Sequence, residues 1–266
     1  MKKTPANLQE LAESLTPERQ RFLSLLSEKK WFRKTDFEVQ KKVFSLSEDF
    51  NGFLADFSAR RDEYGGMEVV KLIDILPANY NLIALFKVRS TNTNQEFTYE
   101  YVSSKYGKSP GYRGLILLEV EGKIKYFMLR RTDKFPIGET VYETIGTYIK
   151  YEGGKLVNMP KVVEDVLKRE LFMKDLVIKR FIDLGQMHTD PAVVPTSISL
   201  YAAVIDITDS PNLKKIESRV IHAKPIQYKL LIEPIDKLKD YVNKVDESYF
   251  LACILRLVSM GVINLQ

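Results

Sequence analysis

The sequence predicts an α+β fold that follows a helical N-terminal extension. Over residues 1–66, apolar residues recur at spacings of three and four, which is the period of an amphipathic helix. From about residue 67 the chain changes to runs of β-branched and aromatic residues with partial alternation, which are typical of strands. One helical segment interrupts these runs and two more close the chain. Helices and strands are therefore expected to pack in layers against a sheet.

The N-terminal extension contains three predicted helices, each opened by Thr, Pro or Asp: TPANLQELAESL, TPERQRFLSLLSEKKWF and TDFEVQKKVFSLSEDFNGFLADFSARRDEY. In the second, Phe22, Leu25 and Leu26 are expected on one face, with Arg19 elsewhere. The pair Gly65-Gly66 ends the helical region. We therefore predict an extension over residues 1–66 and a second domain over residues 67–266.

The second domain begins with two predicted hairpins. NLIALFKVRS and QEFTYEYVSS flank the turn TNTN, and RGLILLEV and KIKYFMLRR flank Glu121-Gly122. A central helix is predicted from about Pro160 to Lys174. Strands such as TSISLYAAVIDI follow it, and IDKLKDYVNK and ESYFLACILRLVSMG are predicted as closing helices.

Charge and hydropathy limit the partners of the protein. Lysine and arginine number 40 against 35 acidic residues, and the formal charge of +5 is spread along the chain, which is only weak support for nucleic-acid binding. Because the chain also lacks a recognisable nucleic-acid-binding module, nucleic acid is not an expected partner. No apolar run reaches the ~18 residues of a spanning helix, and the N-terminus lacks the apolar core of a signal peptide. The sequence predicts a cytoplasmic protein without membrane association.

The chain has too few cysteine and histidine residues for an internal disulfide or a structural zinc site. The single cysteine, Cys253, lies in the apolar run YFLACILRLV, which excludes an internal disulfide and predicts a buried thiol in a reducing compartment. Cys253, His188 and His222 together cannot supply the N or S ligands, typically four, of a structural zinc site. No structural zinc is expected.

Two motifs carry more specific information. The segment RTDKFPIGETVYETIG presents two basic residues, a Pro-x-Gly step and an acidic residue followed by glycine, at Arg131, Lys134, Pro136, Gly138, Glu143 and Gly146. The predicted central helix then contains Arg169-Glu170-Leu171. With the order of elements over roughly residues 95–262, these motifs resemble the Nudix hydrolase superfamily, in its ADP-ribose and nucleotide-sugar pyrophosphatase branch. The resemblance implies a Nudix-type α/β/α sandwich with a mixed sheet.

The chain departs from the family pattern where that pattern holds metal. The family's box helix has a glutamate where this chain has Lys161, and a glutamate pair where it has Met173 and Lys174. Met is a poor ligand for hard cations, and a protonated Lys is not a ligand. Glu164 and Asp175 could rebuild a metal site, although each lies well off the face of Glu170 at the helical period.

The resemblance implies a function and a set of site residues. We expect binding of a nucleoside diphosphate-linked ligand, such as ADP-ribose, NAD or a nucleotide sugar, with hydrolysis weak or lost. Glu170 is the candidate catalytic residue and metal ligand, and Mg²⁺ or Mn²⁺ is a cofactor only if the chain is active. The candidate substrate-binding residues are Arg131, Lys134, Glu143, Gly146, Arg169 and Lys174.

Two alternatives remain open at this stage. An active metal-dependent pyrophosphatase would use Glu170 with a relocated carboxylate. A structural or regulatory module would instead engage a protein partner, or form a homodimer, through the N-terminal helices. Those helices are rich in aromatic residues at helical spacing, which usually indicates core packing: Trp31, Phe32, Phe37, Phe44, Phe50, Phe53 and Phe57.

Overall fold

The computed structural model describes residues 6–107, 111–134, 138–148, 151–152, 155–156, 158–171, 176–188, 197–208, 219–223 and 226–265. The chain divides into two compact units. Unit 1 comprises Met1–Pro110 and His188–Ser197, and unit 2 comprises Gly111–Met187 and Ile198–Gln266.

Unit 1 begins with five helices and one 3-10 turn at Glu48–Phe50. The helices are α1 (Ala6–Glu13), α2 (Pro17–Ser27), α3 (Lys30–Arg33), α4 (Phe37–Phe44) and α5 (Asn51–Ser58). The second one starts as its sequence predicts, because Pro17 occupies the first turn, where the missing N–H costs nothing. The third predicted helix is broken into α4, the 3-10 turn and α5.

The buried face of α2 differs from the predicted one. Leu23 replaces Leu25 on that face, and Leu25 is 37% exposed. Arg19 is also buried, because its guanidinium donates hydrogen bonds to the backbone carbonyls of Phe44, Leu46 and Ser47 at the end of α4. The periodicity alone could not predict this, since the carbonyls that accept from Arg19 belong to a distant segment.

In its described residues, unit 1 also contains four antiparallel strands, in the order β1-β2-β3-β4. They are β1 (Glu63–Tyr64), β2 (Met67–Pro77), β3 (Asn81–Ser90) and β4 (Glu96–Ser104). The aromatic residues of the helices share one core with these strands, and Trp31 contacts Phe57 and Phe86 edge to face. Core packing of these aromatic side chains is confirmed. A partner or dimer role for the helices stays a prediction.

The strands of unit 1 also bear on the predicted domain boundary. That boundary was placed after residue 66, where helical periodicity stops. In the structure the compact units separate after Pro110, because β2, β3 and β4 bury their apolar face in the same core as α2 to α5. The first compact unit therefore extends beyond residue 66, and the division into domains at that residue stays a prediction.

Unit 2 is built on a mixed sheet. The strands of this sheet are β5 (Gly111–Val120), β6 (Lys123–Lys134), β7 (Glu139–Glu143), β8 (Ile145–Tyr148), β11 (Arg180–His188), β12 (Ser197–Asp206), β13 (Arg219–Ala223) and β14 (Ile226–Pro234). Strands β9 (Tyr151–Glu152) and β10 (Lys155–Leu156) form a separate two-stranded sheet. The main order is β11-β12-β5-β6-β14-β13, with β12 parallel to β5 and the pairs β5–β6, β6–β14 and β13–β14 antiparallel. The predicted turn at Glu121-Gly122 is confirmed, with positive φ at both residues.

Helices cover both faces of this sheet. They are α6 (Met159–Leu171), α7 (Leu238–Val242) and α8 (Ser248–Ser259), with a 3-10 turn at Ile235–Lys237. Alternate residues of β5 enter two cores: Ile116 and Leu118 pack on the α6 side, and Leu115 and Leu117 on the α7–α8 side. The predicted α/β/α sandwich with a mixed sheet is confirmed.

One irregularity of the sheet positions the candidate site. Strands β5 and β6 pair only between the Ile116–Met128 and Val120–Lys123 positions. Farther along, β8 pairs with β5 and β7 pairs with β6, so the segment β7–β8 is inserted where the two long strands separate. Thr144, between β7 and β8, marks the corner of this insertion.

Two further sequence predictions concern α8 and membrane association. Cys253 is fully buried, and burial raises the pKa of its thiol to about 12, so the thiolate form is strongly disfavoured. Among the described residues, no helix is long and apolar enough to cross a membrane.

Two leucines of α8 test how unit 2 is stabilised. Leu257 is 0% exposed and Leu255 is 71% exposed. We expect Leu257→Ala to lower the free energy of unfolding by about 2–5 kcal/mol, because it leaves a cavity between helix and sheet. The matched Leu255→Ala should change it by less than ~0.5 kcal/mol. Urea unfolding followed by circular dichroism measures both; equal effects would contradict the helix orientation.

Candidate functional site

A buried carboxylate lies where β5 and β6 separate. Glu143, the last residue of β7, is 6% exposed. Its Oε2 accepts hydrogen bonds from Nη1 of Arg113 at 3.0 Å and from Nζ of Lys134 at 2.9 Å. Arg113 comes from β5 and Lys134 from the end of β6, so Glu143 joins the two separated strands through their cations.

A second carboxylate reaches the same corner from the residue before α8. Oε2 of Glu247 accepts a hydrogen bond from the backbone N–H of Thr144 at 2.6 Å, and its Oε1 lies 3.6 Å from Nη1 of Arg113. Arg113 also donates to the carbonyl of Thr144 at 3.2 Å. The corner between β7 and β8 is therefore fixed by side chains on both sides.

The two carboxylates have opposite pKa shifts. Burial by itself would raise the pKa of Glu143, but the charges of Arg113 and Lys134 outweigh burial and lower it. Burial raises the pKa of Glu247, and neither Arg113 nor the Thr144 N–H fully offsets it. Glu143 is thus the better stabilised anion of the pair.

The close approach of Arg113 explains why residue 146 is a glycine. The two residues are opposite each other in the β5–β8 pairing, and the arginine side chain lies across the glycine. A Cβ on Gly146 would stand 2.6 Å from Cδ of Arg113, which is too close for a real contact. The glycine therefore allows Arg113 to lie flat over β8 on its way to Glu143.

The structure brings together part of the predicted set. Arg113 contacts Glu143 and lies over Gly146, and Lys134 contacts Glu143. Arg131 is instead exposed on β6. Arg113 and Glu247 were not predicted. The sequence marks Arg113 only as a cation at the start of an apolar strand, and it marks Glu247 only as an acid just before a helix.

The box helix α6 is described up to Leu171. Its buried face consists of Val162, Val163, Val166 and Leu167. Lys161 and Arg169 are exposed. The backbone of Glu170 lies in α6, but its side chain and the whole of Lys174 lie outside the described residues. Glu164, one alternative metal ligand, is paired with Lys168 at 2.6 Å, and Asp175 lies outside the described residues.

Comparison with known proteins gives a likeness in structure alone. The sequence matches no protein-family model, and no curated protein matches it significantly. A solved structure titled "Crystal structure of ADP compounds hydrolase" superposes with a TM-score of 0.52 at 9% identity, over 76% of this chain and 99% of that one. The chain has a Nudix-type fold. Because the match spans more residues than unit 2 contains, the likeness includes part of unit 1.

The part of the chain that the structure describes offers no ready site for a divalent metal. Within the described ranges, no three His, Cys, Asp or Glu side chains are grouped to hold an ion. Glu143 and Glu247 are close together, but Arg113 already contacts both.

Substitutions of the two buried carboxylates should differ in effect. Near neutral pH, Glu143→Gln is expected to lower the free energy of unfolding by roughly 1.5–3 kcal/mol, because two charged donors lose their anion. The folded-state pKa of Glu143 is lowered, so its stabilisation is complete above its ordinary pKa and is lost as the pH falls through the folded value. The variant and the wild type should therefore converge in acid.

Glu247→Gln is the matched control. The folded-state pKa of Glu247 is raised, so its ionised form costs stability above that value, and removing the charge relieves that cost. We expect this variant to lose less stability than Glu143→Gln near neutral pH, or to gain some. Urea unfolding across a pH series measures both. Equal losses that do not vary with pH would contradict the assigned charge states.

Proposed function

We propose that this protein binds a nucleoside diphosphate-linked compound, such as ADP-ribose, NAD or a nucleotide sugar, and hydrolyses it weakly or not at all. The sequence of the box helix supports the proposal that hydrolysis is weak or absent. The box helix keeps Arg169-Glu170 but has Lys161, Met173 and Lys174 in place of the carboxylates that the resembled family uses for metal. The single cysteine fits a reducing compartment, and we propose the cytoplasm as its location.

The binding part of the proposal is supported by fold and charge. The structurally similar protein is titled an ADP compounds hydrolase, and its match covers most of both chains. At the corner of β7 and β8, Arg113 and Lys134 contact Glu143 and the charge of Arg130 also acts on it, while Glu247 contacts Arg113, so three cations accompany two buried carboxylates. A partly buried cationic cluster attracts a diphosphate more strongly than exposed lysines would, because water screens it less.

The hydrolytic part requires chemistry that these residues do not supply. In hydrolysis, a water oxygen bonds to one phosphorus, the bridging oxygen leaves with the other, and protons are released. The attacked phosphorus is surrounded by negative oxygens, which divalent metals normally neutralise. Glu170 alone among the box carboxylates remains. We propose that Lys174 contributes a fixed positive charge to ligand binding instead, since an ammonium pairs with phosphate as a point charge.

Calorimetric titration with ADP-ribose, NAD and a panel of nucleotide sugars tests the proposal. We expect at least one of them to bind without divalent metal, and chromatography of the mixture to show no nucleoside monophosphate after incubation with Mg²⁺ or Mn²⁺. Metal-dependent release of a monophosphate would instead establish an active pyrophosphatase. Absence of binding to every compound would favour a structural or regulatory module.

Restoring the box carboxylates tests why hydrolysis is weak. The triple variant Lys161→Glu, Met173→Glu, Lys174→Glu places carboxylates with Glu170 at the family's spacing. We expect it to acquire Mn²⁺ binding, detected by electron paramagnetic resonance, which the wild type lacks. The control variant Lys161→Gln, Met173→Gln, Lys174→Gln removes the same lysines without adding carboxylates. Equal Mn²⁺ binding by wild type and triple glutamate variant would contradict the proposed metal loss.

A further inference from the structure

Neighbouring arginines of β6 lie on opposite faces of the sheet. The pairing of β6 with β14 is unbroken from Tyr126 to Thr132, so side chains alternate strictly along this part of the strand. Leu129 packs in the core on the α7–α8 side, and Arg131 follows it on that face. Met128 packs in the core on the α6 side, and Arg130 follows it there.

The α6 side is also the side of the buried anion. In the pairing of β6 with β7, Arg130 is directly opposite Glu143. Directly opposite residues of an antiparallel pair share a face, so both side chains lie on the α6 side. The positive charge of Arg130 is one of those that lower the pKa of Glu143, after burial, Arg113 and Lys134. Lys134, four residues farther along β6, is on the same face by alternation and contacts Glu143 directly.

A tyrosine holds the Arg130 guanidinium in place. The guanidinium carbon lies 4.7 Å from the ring centroid of Tyr228, at cation–π distance. Tyr228 is 9% exposed and is paired with Thr132, next to Arg130 on the same face. A guanidinium backed by an aromatic ring keeps its planar set of donors in a fixed direction, which is a suitable arrangement for phosphate oxygens. Arg131, by contrast, is exposed and is paired with the exposed Lys229.

We propose that Arg130, and not Arg131, is the arginine that contacts the diphosphate of the ligand. With Lys134 it forms a cationic row along the α6 face of β6, next to Glu143. Tyr228 sets the orientation of the guanidinium. This assignment rests on the proposed function, because it names a specificity-determining residue of the same site. It replaces the sequence-based choice of Arg131 by a residue one position earlier, and the face of the strand is the reason.

Titration calorimetry on a set of charge-matched variants tests the assignment. The probes are ADP-ribose and inorganic pyrophosphate, and the variants are Arg130→Gln, Arg130→Lys, Arg131→Gln and Lys229→Gln. We expect Arg130→Gln to weaken binding of both probes by about 10- to 100-fold, the range for loss of charge-assisted hydrogen bonds. The affinity of Arg130→Lys should lie between those of Arg130→Gln and the wild type, because an ammonium keeps the charge but lacks the planar set of donors.

The other two variants control for loss of charge as such. Lys229→Gln removes one exposed positive charge on the opposite face, and Arg131→Gln removes the neighbouring arginine. Each should bind both probes within about twofold of the wild type, because exposed charges at a distance are screened. Melting temperatures of all four variants show whether any loss reflects unfolding. If Arg130→Gln does not fold, Arg130→Lys carries the comparison.

The outcomes separate this assignment from the function on which it rests. If the wild type binds ADP-ribose and Arg130→Gln binds it equally well, or if Arg131→Gln loses as much as Arg130→Gln, the assignment to Arg130 is overturned while the proposed function stands. If the wild type binds neither probe but binds NAD or a nucleotide sugar, the same variants are compared with that compound. If the wild type binds no compound of the panel, the proposed function fails and the assignment fails with it.

Discussion

The candidate site depends on the separation of two long strands. Strands β5 and β6 are hydrogen-bonded at one end and diverge at the other, and the segment β7–β8 occupies the gap. A corner in the middle of a sheet leaves backbone groups that must find partners. Glu247 accepts from the N–H of Thr144 and Arg113 donates to its carbonyl, so charged side chains satisfy that corner. The ionic cluster is a consequence of this divergence.

Burial at this corner also explains why the pKa values of Glu143 and Glu247 shift in opposite directions. A carboxylate buried at the corner is stable only when cations accompany it, and Glu143 has Arg113 and Lys134 within hydrogen-bonding distance. Glu247 shares Arg113 with it, and no second cation of the described residues pairs with Glu247, so burial dominates its pKa.

Fold and chemistry have separate requirements in this chain. The mixed sheet, its two helical layers and the divergence of β5 from β6 need apolar residues at alternate strand positions and on one face of each helix. Lys161, which is exposed on α6, lies outside these apolar positions. The fold by itself therefore does not determine the chemistry, and the function has to be argued from the site.

Periodicity and turn chemistry were enough to predict the layered α+β architecture, the Glu121-Gly122 hairpin and the burial of Cys253, because these follow from local spacing and composition. The separation of the compact units after Pro110, the burial of Arg19 and the roles of Arg113 and Glu247 were decided by contacts between distant segments. The choice between Arg130 and Arg131 also depends on contacts between distant segments. The sequence places two arginines side by side, and only the register of β6 against β7 and β14 decides which of them shares a face with Glu143.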